Sequence, residues 1–301
     1  MIYKNRTESD VLKTFRALNN RSDLLEDDQK YYSNLEKGFR GEVQFDVLLE
    51  KFLCDYYILI DLQFEINRTT FQIDSLMIHQ ESIYLFEIKN FEGDYCYDID
   101  IFNTTSGKEY KNPLDQLKRS KSLLRQLLQN IGCKFTIEAY VIFVNPEFTL
   151  YQAPPALPFI YPTQINRFLK KLQIQPSNLK DYHQSLADKI ISLHISKSSY
   201  SLFPTYEYQQ LKKGITCNVC YSISTSILGK QALCTNCGNK EKVDSAIIRS
   251  TQEFKLLFPD QKVTSSKIHE WCKIIESQKK INRTLNKHLT KIGDCKWTRY
   301  K

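Results

Sequence analysis

Between Tyr56 and Lys89 the chain runs through three apolar, β-branched and aromatic stretches, YYILIDLQFEI, FQIDSLMI and SIYLFEIKNF, with polar turns between them. Runs of this kind predict neighbouring strands. Charged residues stand inside them at Asp74, Glu87 and Lys89. Successive side chains on a strand point to opposite faces, so Glu87 and Lys89 share one face while Phe86 and Ile88 take the other. Charges in apolar strands are costly unless they pair or bind a metal. A fold that accepts this sequence must therefore pair these groups as an ion pair at a sheet edge or assemble them into a site. If the two strands are neighbours, Asp74 joins Glu87 and Lys89. Two carboxylates so placed can hold one or two divalent cations, and the lysine can orient or deprotonate a water and offset charge on phosphoryl oxygens.

The flanking segments predict a mixed α/β layer. GEVQFDVLLEKFL carries Val43, Val47, Leu48 and Phe52 at helical spacing, which predicts a helix with one apolar face. NPLDQLKRSKSLLRQLLQNIG has a leading proline and a trailing glycine, the start and stop signals of a helix, and FTIEAYVIFVN reads as a further strand. The order helix, three strands, helix, strand requires at least one crossover. Pro154, Pro155, Pro158 and Pro162 exclude a continuous helix or a central strand through 153–162. Two helices are expected beyond them, in TQINRFLKKLQ and NLKDYHQSLADKIISLHISK. Ahead of all this, residues 8–30 read as a polar, helical lead-in with no functional signal. His79, near a turn, reads as structural; Tyr95, Tyr97 and Tyr110 suit either base stacking or sheet packing.

Charge is distributed unevenly. Lys and Arg less Asp and Glu give +1 over residues 1–40, −7 over 41–150, +7 over 151–250 and +7 over 251–301. An acidic block followed by a basic half suits carboxylates gathered for metal ions and a separate phosphate-facing surface. No apolar run is long enough to span a bilayer and no secretory signal opens the chain, so a cytoplasmic protein with no membrane partner is expected. Phosphate-binding loops, dinucleotide fingerprints, HExxH and nucleophile elbows are absent, which argues against kinases, dehydrogenases and the common proteases.

Several linked motifs resemble the nuclease-related domain family, NERD: Gly41-Glu42 on a helix, Gln72-Ile73-Asp74 on a strand, Glu87-Ile88-Lys89-Asn90 on the next, and Asn112-Pro113 followed by Gln116 at a helix start. The likeness spans about residues 35–150. It implies a restriction-endonuclease-like fold of the PD-(D/E)xK type, a mixed sheet flanked by helices, although Ile73 stands where many members of that wider class have proline. The resemblance further implies Asp74 and Glu87 as ligands of Mg²⁺ or Mn²⁺ and Lys89 as the catalytic lysine. Glu42 is implied as a further acidic ligand or a network partner, and Gln116 as a group that positions water or phosphate. Asn90 is expected to shape the turn after its strand. The activity implied is metal-dependent phosphodiester hydrolysis, with DNA as the expected partner in processing or defence. The alternative is a non-catalytic DNA-binding protein that keeps the fold, favoured if Glu42, Asp74, Glu87 and Lys89 do not converge. Cutting both strands of a duplex would call for a dimer or two sites.

Nine cysteines, an odd number, include Cys217-x-x-Cys220 and Cys234-x-x-Cys237, two pairs separated by thirteen residues. This spacing predicts four thiolates on two knuckles around a structural Zn²⁺, in a zinc ribbon with turns at Gly229 and Gly238, and the spacing alone also admits an iron centre. Cys54, Cys96, Cys133, Cys272 and Cys295 read as ordinary thiols. After the ribbon come three predicted helices and a short β tail, an order that resembles a winged helix-turn-helix unit. In that unit Lys279, Lys280, Arg283 and Lys287, with Asn282 and Asn286, would face a duplex, and Lys296, Trp297 and Arg299 would form the wing. The expected organisation is a lead-in (1–34), the nuclease-like domain (35–150), a helical extension (151–198), a linker (199–214), the ribbon (215–240) and a basic helical domain (241–301).

Overall fold

The computed structural model describes residues 2–51, 55–195, 203–293 and 298–301. Two compact units emerge, one of residues 1–7 and 35–199, the other of residues 8–34 and 200–301. In chain order the elements begin with β1 (Ile2–Lys4), α1 (Asp10–Arg21), α2 (Glu26–Glu50), β2 (Tyr57–Ile66), β3 (Thr69–Ile78), β4 (Ser82–Lys89), β5 (Gly93–Asp98), β6 (Ile101–Thr104) and β7 (Glu109–Tyr110). They continue with α3 (Pro113–Asn130), β8 (Thr136–Phe143), β9 (Phe148–Tyr151), β10 (Phe159–Ile160), α4 (Ile165–Gln173) and α5 (Asp181–Ser192).

The first unit is built on a mixed six-stranded sheet in the order β1-β2-β3-β4-β8-β10. The β2–β3 hairpin turns through Asn67 and Arg68, both with positive φ, as a two-residue turn matched to the strand twist requires. The β3–β4 pair is antiparallel, and β4 runs parallel to β8 after a crossover that includes α3. Asn112 caps α3 by accepting from the Leu114 N–H, and Pro113 opens it. Proline confines β10 to a two-residue edge strand between Pro158 and Pro162. One apolar layer joins Ile73, Leu85, Val141 and Phe143 to Leu114, Leu117 and Leu124 of α3. The other joins Met77, Phe86 and Ile142 to Phe45 and Leu49 of α2 and Leu169 of α4. The chain is thus a mixed α/β protein whose sheet is covered by helices on both faces.

Helix α2 presents a different face from the one its apolar spacing suggests. Val43 and Val47 are exposed, Leu48 is half-buried, and Phe52 lies outside the described residues. The buried positions are Gly41, Phe45, Asp46 and Leu49. The cause is a close approach at Gly41, where an added Cβ would stand 2.5 Å from Asn90 Cβ and 3.1 Å from Val144 Cγ2. Hydrogen bonds fasten the same contact: Asn90 Nδ2 donates to Lys37 O at 2.7 Å, and Gln44 Nε2 to Val144 O at 3.1 Å. Asn90 therefore ties the end of β4 to a helix, beyond the turn-forming role expected of it.

A small sheet in the order β7-β6-β5-β9 covers one end of this unit. Tyr95 and Tyr97 are buried there, and Tyr95 packs with Phe91, Phe102, the half-buried Tyr110 and Phe148. His79 stacks on Tyr56 at 4.8 Å, a packing contact.

The second unit contains α1 and then β11 (Thr225–Leu228), β12 (Gln231–Cys234), β13 (Lys240–Lys242), α6 (Val243–Leu257), α7 (Ser265–Cys272), α8 (Gln278–His288), β14 (Lys291–Ile292) and β15 (Arg299–Tyr300). The stretch expected as a lead-in is divided between the units, and α1 is more than a preface. Ala17 and Leu18 enter a core with Ile247, Phe254, Ile268, Trp271 and Ile281. Arg21, fully buried, pairs with Glu253 at 2.5 Å, donates to Lys212 O and Gly214 O, and lies 4.0 Å over the Trp271 ring. In the stretch expected as linker, Tyr206 packs edge-on against Phe258 and Tyr208 stacks on Trp271. Three helices followed by a β14–β15 pair match the expected order of elements.

Two glycines of α2 give a paired test. Gly41→Ala forces α2 off the sheet and should cost about 1–3 kcal/mol by overpacking. Gly38→Ala meets nothing within 4 Å and should be neutral or stabilising by up to about 1 kcal/mol. Urea denaturation of both variants checks the contrast; equal midpoints would remove the close-approach argument.

Candidate active site and cysteine cluster

The β3–β4 ladder ends where the charges begin. Its last pairing is Ser75 with Phe86, while Glu87, Ile88 and Lys89 continue to pair with β8 alone. At the fork the Asp74 carboxylate takes over as acceptor, receiving the Ile88 N–H on Oδ2 at 2.8 Å. Opposite Asp74, on the β2 side, Asp61 has φ +55°, and the two are skipped by a ladder that resumes at Leu62 and Ile73. Left-handed backbone is tolerable for aspartate, and an irregularity of this kind re-aims the side chains around it.

Lys89 Nζ donates to Glu87 Oε1 at 2.8 Å and to Gln116 Oε1 at 3.0 Å. Lys89 thus links Glu87 to Gln116. The crossover helix thus brings Gln116 onto the pair that strand alternation places together. Glu42 approaches from α2 and is held by Arg6, whose Nη1 donates to its Oε2 at 2.6 Å. Arg6 also binds Asp46 through Nε at 2.7 Å and Nη2 at 3.1 Å, and Nη2 reaches the Asp74 carbonyl at 3.1 Å. Arg6 and Asp46 are the two site residues that sequence reasoning missed. Asp46 had a signal, since it lies one helical turn after Glu42 and so on the same side of α2; Arg6, a lone cation in a polar segment, had none.

Four carboxylates, Glu42, Asp46, Asp74 and Glu87, thus face two cations, Arg6 and Lys89. Burial, and then the charge of Asp74, push both Glu42 and Glu87 up to about 8, with Arg6 opposing at the first and Lys89 at the second. Burial also raises Asp74, against the pull of Lys89, the Ile88 N–H and Arg6. Hard oxygen donors with an uncompensated negative charge fit a divalent cation such as Mg²⁺ or Mn²⁺. They are not drawn into a single cage: among the described residues, the one group of three or more potential ligands whose atoms all lie within 4.8 Å of each other is the cysteine cluster.

That cluster consists of Cys217, Cys220, Cys234 and Cys237. Cys217 and Cys237 Sγ are 3.6 Å apart, as are Cys220 and Cys234 Sγ. These separations exclude disulfides, whose S–S bond is about 2.05 Å, and approach the edge of roughly 3.8 Å for a tetrahedron of thiolates around zinc. The Val219 N–H and Asn236 Nδ2 donate to Cys217 and Cys220 sulfurs, as a thiolate set requires. Gly229 and Gly238 adopt positive φ in the turns, and β11-β12-β13 complete a ribbon. Cys54 and Cys295 lie outside the described residues. Cys272 is buried with its thiol pushed up to about 12 by burial, and Cys96 and Cys133 are free and half-buried.

On α8, Lys279, Arg283 and Lys287 are exposed and Lys280 is half-buried; Arg299 is exposed on β15. Asn282 and Asn286 accept from the Tyr300 hydroxyl at 2.5 and 3.1 Å, so their side chains brace the β15 end of the unit. Lys296 and Trp297, expected in the wing, lie outside the described residues.

The raised carboxylates carry a pH signature. The fold prefers Glu42 and Glu87 protonated, so between their ordinary value of 4.5 and about 8 the native state binds more protons than the unfolded chain. Without a divalent cation their contribution to stability is present below 4.5 and lost as the pH rises through about 8. Urea titrations at pH 5.5 and 8 should show a larger loss for wild type than for Glu42→Gln/Glu87→Gln; equal losses would contradict the burial of charge.

No curated protein and no solved structure matches the chain. Residues 37–144, which contain Glu42, Asp74, Glu87, Lys89 and Gln116, match the family model of NERD, the nuclease-related domain, and lie within the first unit.

Proposed function

We propose that the first unit is a metal-dependent phosphodiesterase acting on nucleic acid, DNA in the first place. The observation that carries this reading is the set of buried Asp74 and Glu87 with half-buried Lys89 at the fork of β3 and β4, with Gln116 on Lys89. Asp74 and Glu87 would hold Mg²⁺ or Mn²⁺, which when bound supplies an activated water and stabilises the departing 3′ oxygen. Lys89, fixed by Glu87 and Gln116, offers its charge to the phosphoryl oxygens and orients the attacking water. Gln116 keeps the amine in place and presents its amide to water or phosphate. The four-cysteine ribbon would hold structural Zn²⁺, with no position left for catalysis. Thiolate ligation suits a reducing compartment, the cytoplasm; no described helix is long and apolar enough to cross a membrane.

The tail would dock the substrate. Three helices and a two-stranded sheet support a winged helix-turn-helix reading, in which Lys279, Lys280, Arg283, Lys287 and Arg299 meet phosphates. Phosphate contacts position the chain without reading sequence, so this part would serve affinity more than specificity.

Cleavage of labelled single- and double-stranded DNA and RNA with Mg²⁺ or Mn²⁺ tests the proposal. Wild type should cut, and Glu87→Gln should lower the rate by about 100-fold or more. Zinc-loaded protein that retains DNA without cutting it would instead establish the non-catalytic reading. For the ribbon, the expected metal content is one zinc per chain, released from Cys220→Ser together with loss of helical signal from the second unit; wild type purified without zinc would refute it.

A further inference from the structure

The first seven residues do more at the site than extend the sheet. β1 adds parallel to β2, and Lys4 Nζ donates to the Ile60 and Asp61 carbonyls at 2.8 and 2.6 Å. Thr7 donates through its hydroxyl to Asp61 Oδ2 at 3.0 Å. Arg6, between them, has a side chain only 6% exposed and spends its fork on Glu42, both oxygens of Asp46 and the Asp74 carbonyl. The segment therefore grips the irregular Asp61–Asp74 position from both strands.

A single carboxylate would be enough to neutralise a structural arginine. Arg6 instead takes two from adjacent turns of α2, together with the backbone of the residue whose side chain stands at the fork. With Glu42 and Asp46 engaged, Asp74 and Glu87 are the carboxylates left for a divalent cation, and Lys89 already shares Glu87. A second divalent ion at Glu42 would face a buried guanidinium in a poorly screened setting, where like charges repel strongly. Arginine cannot relieve this by losing its proton.

We infer that Arg6 is a positioning residue that keeps Glu42 and Asp46 as its own counter-ions and so restricts the site to one divalent cation, held by Asp74 and Glu87. This rests on the metal-dependent reading above and assigns Glu42 to the supporting network. It also makes the N-terminal segment part of the site's electrostatics, although nothing in its own sequence announces that role.

The test is Mn²⁺ binding to the full-length, zinc-loaded protein, with stoichiometry from calorimetry and ion–ion coupling from electron paramagnetic resonance. Wild type should bind one Mn²⁺. Glu42→Gln should leave that affinity within about threefold, whereas Asp74→Asn should weaken it by about tenfold or more. Arg6→Met should admit a second, magnetically coupled Mn²⁺, and Arg6→Lys, which keeps the charge, should stay at one. Two ions in wild type, a Glu42→Gln loss equal to that of Asp74→Asn, or a single ion in folded Arg6→Met would each overturn the inference. Should Arg6→Met fail to fold, the Glu42→Gln and Asp74→Asn comparison decides. Wild type that binds no Mn²⁺ and cuts nothing defeats the metal-dependent reading itself and this inference with it; wild type that binds and cuts with Glu42 as a ligand defeats only the role of Arg6.

Discussion

The first unit is organised around the cost of burying carboxylates. Asp74, Glu87 and Asp46 are each at most 8% exposed, and an unpaired buried ion costs several kcal/mol even after relaxation. Each neighbouring device offsets part of that cost. The strand fork lends Asp74 a backbone N–H, Lys89 lies against Glu87, and Arg6 serves Glu42 and Asp46. The site's groups come from the segment after β1 and from α2, β3, β4 and α3, so it depends on nearly every element of the layer being in place. Gly41 belongs to the same logic, because Glu42 and Asp46 reach Arg6 only if α2 comes down onto Asn90 and Val144.

Local signals made much of this legible in the sequence. Period-two alternation placed Glu87 and Lys89 together, the polar Asn67-Arg68 turn marked the hairpin, and Asn112-Pro113 marked the start of α3. Those features act within a few residues and leave their trace in the chain. Two kinds of feature left none. One is the ladder break at Asp61 and Asp74, an irregular pairing that alternation does not foresee. The other is long-range pairing: Arg6 meets Glu42 across 36 residues and Arg21 meets Glu253 across 232. Apolar spacing on α2 was misleading because backbone proximity, set by one glycine, outweighed the preference of Val43 and Val47 for burial.

Arg21 and Arg6 show the same physics in separate units. Each is a buried guanidinium whose planar fork satisfies a carboxylate and at least one carbonyl at once. In the second unit Arg21 binds α1 to Glu253 of α6 and to the strand-free stretch before the first knuckle, at Lys212 and Gly214. The helix that looked like a preface thus helps to hold the approach to Cys217. A lysine at either position would offer a point charge with no plane to match these acceptors.

The two candidate metal environments differ in a way that keeps their ions apart. The cysteine cluster presents four soft sulfur donors within 4.8 Å of one another, two of them supported by N–H donors, a set that suits zinc and would leave no open position. The fork presents hard carboxylates, partly engaged by Lys89 and Arg6, a set suited to a more weakly held oxygen-preferring ion that keeps waters of its own. Raw affinity would send zinc to both, since it exceeds magnesium at most nitrogen, oxygen and sulfur donors. If zinc filled the cysteine site as part of folding, it would have the better address there. The guanidinium and ammonium at the fork would lower the affinity of the carboxylates for any dication, so that only an abundant one would occupy them. On the metal-dependent reading, Arg6 and Lys89 would tune which metal is held at the fork as well as how many ions are.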